Sequence, residues 1–179
     1  MAWTAPMTAV AGVIWTSAQF NAHVRDNLLE TMPGKATATG RMYVTNGNNS
    51  IAERVPTEGT VATSQTTTST TYTDLATVGP TVTVSTGTTA IVWFNCQMEN
   101  SSSDAETSVS VALTSGSTIA ASDDWRLLQS GVAAGSTNRL GMVHRFTGLT
   151  VGSNAFTMKY RVSGGTGTFQ RRSIIVLPL

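Results

Sequence analysis

Two histidines, one cysteine and a few neighbouring acids are all that this chain offers for chemistry. A Ser, Thr or Cys nucleophile needs a base beside it, and only His23 and His144 could serve. His144 alternates with Met142 and Phe146, which reads as a histidine of a core or an interface. His23 has no second ligand-type residue four positions on, so it carries no metal or catalytic expectation. The single Cys96 excludes an internal disulfide and a cysteine-based metal site. Asp123 and Asp124 could help to hold calcium, but no acidic loop of the EF-hand spacing surrounds them. With Glu99, Asp104 and Glu106 they read as solvated loop charge, and the carboxylate pair of a glycoside hydrolase cannot be nominated. Gly164, Gly165 and Gly167 precede no helix, so they mark a hairpin and not a phosphate cradle. No catalytic residue, metal site or cofactor is expected, and the chain reads as a structural or binding protein.

The element that organises the rest is Ala90 to Met98, AIVWFNCQM. At period two, Ala90, Val92, Phe94, Cys96 and Met98 share a core face, which makes Cys96 a buried, inert thiol. Ile91, Trp93, Asn95 and Gln97 share the other face, too apolar to be meant for water alone. It is therefore expected to form a trimer interface, with the amides pairing across the axis. Charged residues make up 12% of the 179 positions and net charge is +1, so no nucleic acid or anionic membrane is implied as a partner. Thr and Ser fill roughly a quarter of the chain, which favours strands and turns. No apolar run approaches the ~18 residues that span a bilayer, and the N-terminus lacks the features of a signal peptide.

Three regions follow in order. Residues 1–34 hold an apolar arm with Trp3, Met7, Val10, Val13, Ile14 and Trp15, then a helix opened by the capping box Thr16–Gln19 and stopped at Pro33 and Gly34. Phe20, Val24, Leu28 and Met32 form its stripe. The arm either folds back on its own domain or docks on a partner, and the partner is the favoured expectation. Trp3, Trp15, Phe20, Val24 and Leu28 are the expected anchoring residues. Residues 35–60 form a connector with a hairpin, Arg41 to Thr45 and Ser50 to Val55, turning at Asn46 and Gly47. Residues 61–179 alternate in short strands with Gly and Ser turns, expected as an antiparallel sandwich of jelly-roll type. In its cleanest strand Phe156, Met158, Tyr160 and Val162 point inward and Thr157, Lys159 and Arg161 outward. Arg161, Arg171 and Arg172 form a modest basic cluster, and with Tyr72 and Trp125 they are the candidates for surface binding, of a host-surface glycan for instance.

Two stretches carry a family likeness. The opening tryptophan followed by TSAQFNAHVRDNLLETMPG resembles the N-terminus of small virion proteins of tailed phages that infect actinobacteria, the minor tail and capsid decoration proteins. GRMYVTNGNNSIAERVPTEG, TTTSTTYTDLATVGPTVTV and the closing YRVSGGTGTFQRRSIIVLPL are similar to the C-terminal knobs of the same proteins. The resemblance implies a non-enzymatic structural protein on the virion surface, made in the host cytoplasm. It implies a homotrimer anchored to capsid or tail proteins through its N-terminal segment, with the β domain outward. The competing expectation is a host-adsorption module whose sandwich binds cell-surface glycan.

Overall fold

The computed structural model describes residues 4, 5, 7, 8, 10–29, 37–48 and 50–179, which fall into two compact units, Met1–Val55 and Pro56–Leu179. The expectations placed on Trp3, Met32, Pro33 and Gly34 lie outside the described residues. In the first unit the capping box forms: the Thr16 hydroxyl accepts the Gln19 N–H at 3.2 Å, and the Gln19 side chain accepts the Thr16 N–H at 3.0 Å. Ser17–Phe20 is α-helical, Asn21–Arg25 is a π-helical turn whose Asn21 carbonyl accepts the Asp26 N–H, and Asp26–Leu29 is α-helical again. That wider turn rotates the residues after it, which a strict helical period does not anticipate. Strand β1 (Met42–Gly47) pairs antiparallel with β2 (Ser50–Arg54). The expected Asn46–Gly47 turn is corrected: both residues lie within β1, because Gly47 itself pairs with Ser50 after a bulge.

The second unit holds β3 (Thr57–Val61), β4 (Gln65–Thr67), β5 (Thr81–Thr86), β6 (Thr89–Asn100), β7 (Thr107–Ser115), β8 (Leu127–Gln129), β9 (Asn138–Thr147), β10 (Gly152–Val162) and β11 (Gly167–Pro178). Its pairings nest. β3 pairs with β11, β5 with β10, β6 with β9 and β7 with β8, all antiparallel, like one long hairpin rolled up. The result is two sheets, β5-β10-β7-β8 and β3-β11-β6-β9, with β4 added to β11. This is the strand order of a jelly roll, and the chain is mainly β as its composition implied. The unit starts at Pro56, ahead of residue 61, because Thr57–Val61 is a strand of the larger sheet.

The core is built by alternation. Ala90, Val92, Phe94, Cys96 and Met98 of β6 are buried against Phe156, Met158, Tyr160 and Val162 of β10, with Phe169, Ile174 and Val176 of β11. Each large apolar side chain so buried stabilises the fold by about 1.5–3 kcal/mol. In β7 the alternation fails to separate inside from outside, since Ser108 and Ser110 are as buried as Val109 and Val111. The segment before β8 covers them: the Ser110 hydroxyl accepts the Ser122 N–H at 3.2 Å, and Arg126 donates to the Ser108 hydroxyl at 3.3 Å. Thr157, expected outward, is 2% exposed, with its hydroxyl 3.0 Å from that of Thr81, its partner on β5.

Candidate functional site

Because β6 lies between β11 and β9, its outward side chains belong to rows that cross the larger sheet. One row runs in register from Glu58 on β3 through Ile175 on β11 and Trp93 on β6 to Val143 on β9. Its three apolar members are 37%, 42% and 52% exposed. Ile91, half-buried, stands in the next row between Leu177 and Arg145. Sequence reasoning placed Ile91 and Trp93 on this face and missed Val143 and Ile175. Their own alternation already set them opposite Met142 and Val176; what the sequence lacked was that β9 and β11 flank β6.

Asn95 departs from expectation. Its side-chain amide donates to the Ser173 hydroxyl at 2.6 Å, and its oxygen accepts from Arg139 at 2.9 Å, so both ends of the amide are engaged within one chain. Gln97 lies between Gln170 and Arg139. Two shallow hollows flank Asn95. One, of about 360 Å³, is bounded by Trp93, Asn95, Gly141 and Val143; the other, of about 270 Å³, by Glu58, Thr60, Arg139, Arg171 and Ser173. On the opposite face Cys96 is fully buried, and burial pushes its thiol up to about 12. A thiol reagent at pH 8 is therefore expected to leave the native protein unlabelled and to label it after unfolding in guanidinium; rapid native labelling would mean that the faces of β6 are reversed.

The residues proposed for surface binding scatter into different roles. Arg161 grips Asp123 with two bonds, at 2.8 and 3.2 Å, and its guanidinium lies 5.4 Å from the centre of the Tyr72 ring. The Tyr72 hydroxyl donates to Asp123 at 2.8 Å, and burial together with this acid pushes the phenol up to about 12. The same bond, with Arg161 beside it, holds the Asp123 carboxyl below its ordinary range. Arg126 bridges Glu106 at 3.0 Å and Asp123 at 3.6 Å, so two arginines and two acids close a neutral network. Trp125 is half-buried: it stacks on His144 at 5.0 Å, and its ring N–H donates to the Val111 carbonyl at 2.9 Å. Burial lowers the pKa of His144, which keeps that imidazole neutral at pH 7. Tyr72 and Trp125 thus each have one ring face engaged within the chain.

Arg172, taken for a surface cation, is 1% exposed. It donates to the carbonyls of Gly79 and Thr63 and to the Gln65 side chain, and lies over the Tyr160 ring at 5.3 Å. A bulge turns it inward: between Gln170, opposite Gln97, and Ser173, opposite Asn95, β11 carries one residue too many. Arg171 absorbs the bulge at φ 49° and stays exposed beside the smaller hollow. Among the described residues, no group of three or more His, Cys, Asp or Glu is placed to hold a metal ion.

In the first unit, the helix amide Asn27 is buried. It accepts the Thr4 N–H and donates to the Thr4 carbonyl, each at 2.9 Å, and His23 Nδ1 bonds the Ala5 carbonyl at 3.1 Å. At Thr4 and Ala5, then, the arm lies against its own helix, because two helix side chains hold its backbone. Of its described apolar side chains, Met7 is half-buried and the larger ones that follow stay exposed. Val10, Val13, Ile14, Trp15 and Phe20 are exposed, with Trp15 edge-on to Phe20 at 6.4 Å; Leu28 is exposed and Val24 half-buried. Among the described residues of this unit, Asn27 is the one that is buried, and no apolar side chain is.

No protein-family model matches the chain, and no curated protein does. Among solved structures, it is 12% identical to a chain in the structure of infectious bursal disease virus Gt strain, with a TM-score of 0.48 over 74% of this chain and 36% of that one. The corresponding figures are 12%, 0.39, 74% and 35% for the structure of infectious bursal disease virus Gx strain. They are 13%, 0.33, 79% and 14% for dimeric latent PorU from Porphyromonas gingivalis. The chain spans little more than a third of the length of the two viral chains it matches. The fold therefore rests on the nested pairings of this chain's own strands: a jelly roll with an apolar row on one outer face, preceded by a unit none of whose described apolar side chains is buried.

Proposed function

We propose that this chain is a structural protein of a virus particle, of the kind that decorates the capsid or forms a small knob on the tail in phages of actinobacteria. The N-terminal unit is its anchor, the jelly roll faces outward, and three copies associate through the outer face of β6. One observation carries this reading: the two units divide the labour of burial. The jelly roll encloses a complete core, whereas Val10, Val13, Ile14, Trp15 and Phe20 of the first unit are all left to water. Covering one such side chain is worth about 1.5–3 kcal/mol, so a partner surface is the natural destination of several together. The resemblance of TSAQFNAHVRDNLLETMPG to phage virion proteins supplies the kind of partner, and the structure gives its polar residues a task, since Asn27 and His23 hold the arm.

Gradient-purified particles from a culture making a tagged chain are expected to carry it in a fixed ratio to the major capsid or tail protein. A chain that stays in the soluble fraction while particles assemble without it would overturn the assignment.

A further inference from the structure

Gly141 sits within the edge strand β9, where a glycine weakens pairing and offers nothing to pack. Nothing in the fold demands it. Its φ lies outside the left-handed region, and a Cβ added there would meet only the Asn95 Cβ at 3.7 Å and the Phe94 carbonyl oxygen at 3.8 Å, both ordinary contacts. Gly116 shows the contrast: its φ is +77° and a Cβ would collide with the Ser153 carbonyl oxygen. What the bare backbone at 141 provides is space, the hollow of about 360 Å³ on the outer face, with the exposed indole of Trp93 standing at its rim.

We infer that this hollow receives the Trp93 indole of a second copy, and that the contact runs head to tail so that three copies close a ring. The inference rests on the proposed assembly and specifies the joint within it. A second copy is the occupant because knob and hole lie on one surface, one strand apart, so every copy offers both. Charge sets the direction. The row that contains Trp93 begins at Glu58 on β3, and on β9 the next residue outward from Val143 is Arg145. Among the described residues, neither Glu58 nor Arg145 forms a salt bridge. Head-to-tail contact sets Glu58 of one copy towards Arg145 of the next, whereas a contact of like ends would set Arg145 against Arg145 or Glu58 against Glu58.

Sedimentation velocity on the full chain tests the joint with Gly141→Val, Trp93→Ala and the double variant. Gly141→Val fills the hollow with a good strand former, so it is expected to melt at or above the wild-type temperature while association weakens roughly tenfold or more. Trp93→Ala should weaken association similarly, and the double variant should be little worse than either alone, because each removes the same contact. A wild type that is trimeric and a Gly141→Val protein equally so would overturn the joint and leave the trimer standing. Additive losses would show that Trp93 sits elsewhere. A wild type that is monomeric at every concentration would remove both, as it would if a different protein of the particle covers this face. Should Gly141→Val lose its cooperative melt, Gly141→Ala, whose one added carbon meets only ordinary contacts, takes its place under the same expectations.

Discussion

A protein beginning at Pro56 is expected to melt as cooperatively as the whole chain and to be missing from particles that carry the whole chain. The first half follows from where the core lies: among the described residues every buried apolar side chain, from Leu75 to Val176, and all the nested pairings fall within Pro56–Leu179. The start point matters. Beginning at residue 61 would delete most of β3, leaving the Ser173 to Val176 edge of β11 unpaired, and such a protein is expected to be less stable by a few kcal/mol. The second half follows from what the deletion removes, an arm and helix whose apolar side chains the jelly roll does not need. In the full chain, Phe20→Asp or Ile14→Asp should act nearly as strongly, because each sets a charge where the anchor contact must be dry. Circular dichroism and thermal melts check the fold, and blotting of purified particles checks incorporation. A disordered product from Pro56 would sink the boundary. Normal incorporation of the deleted protein or of both charged variants would remove the anchor.

The parts of this molecule that were legible in its sequence are those where one strand meets one core. β6 alternates, as β10 does from Met158 to Val162, because each is a central strand with one face packed inside, and burial at period two leaves a visible pattern. Arg172 was illegible for a local reason. Two arginines stand side by side, the bulge that turns the second inward has no glycine to mark it, and Arg171 itself takes the positive φ. Thr157 misled because its covering comes from elsewhere, from Thr81 on the neighbouring strand. The network of Tyr72, Asp123 and Arg161 joins residues 51 and 38 positions apart, which only the rolled hairpin brings together. In the helix, nothing set Asn27 apart from its polar neighbours. Its partner is a main chain, and main-chain partners leave no signature in residue types.

Replacing Trp93 by aspartate is expected to abolish association while leaving the fold intact. The indole lies on the outward side of β6 and is 42% exposed in a single copy, so most of its remaining surface is available to an interface and little of the core depends on it. Covering that remainder contributes about 2 kcal/mol per subunit, and a closed ring of three makes the contact three times. Aspartate loses this contribution and adds a carboxylate that must be stripped of water, which costs more than the contact supplied. The control has to be a true surface threonine. Thr157 is unsuitable, being buried against Thr81, and an aspartate there is expected to destabilise the jelly roll itself. Thr83 on β5 is exposed on the outer face of the smaller sheet, and Thr83→Asp should change neither melting temperature nor assembly. Sedimentation velocity distinguishes the outcomes: a trimeric wild type and Thr83→Asp beside a monomeric, cooperatively melting Trp93→Asp is the expected set. A Trp93→Asp protein that still sediments as a trimer would show that the copies meet through another surface.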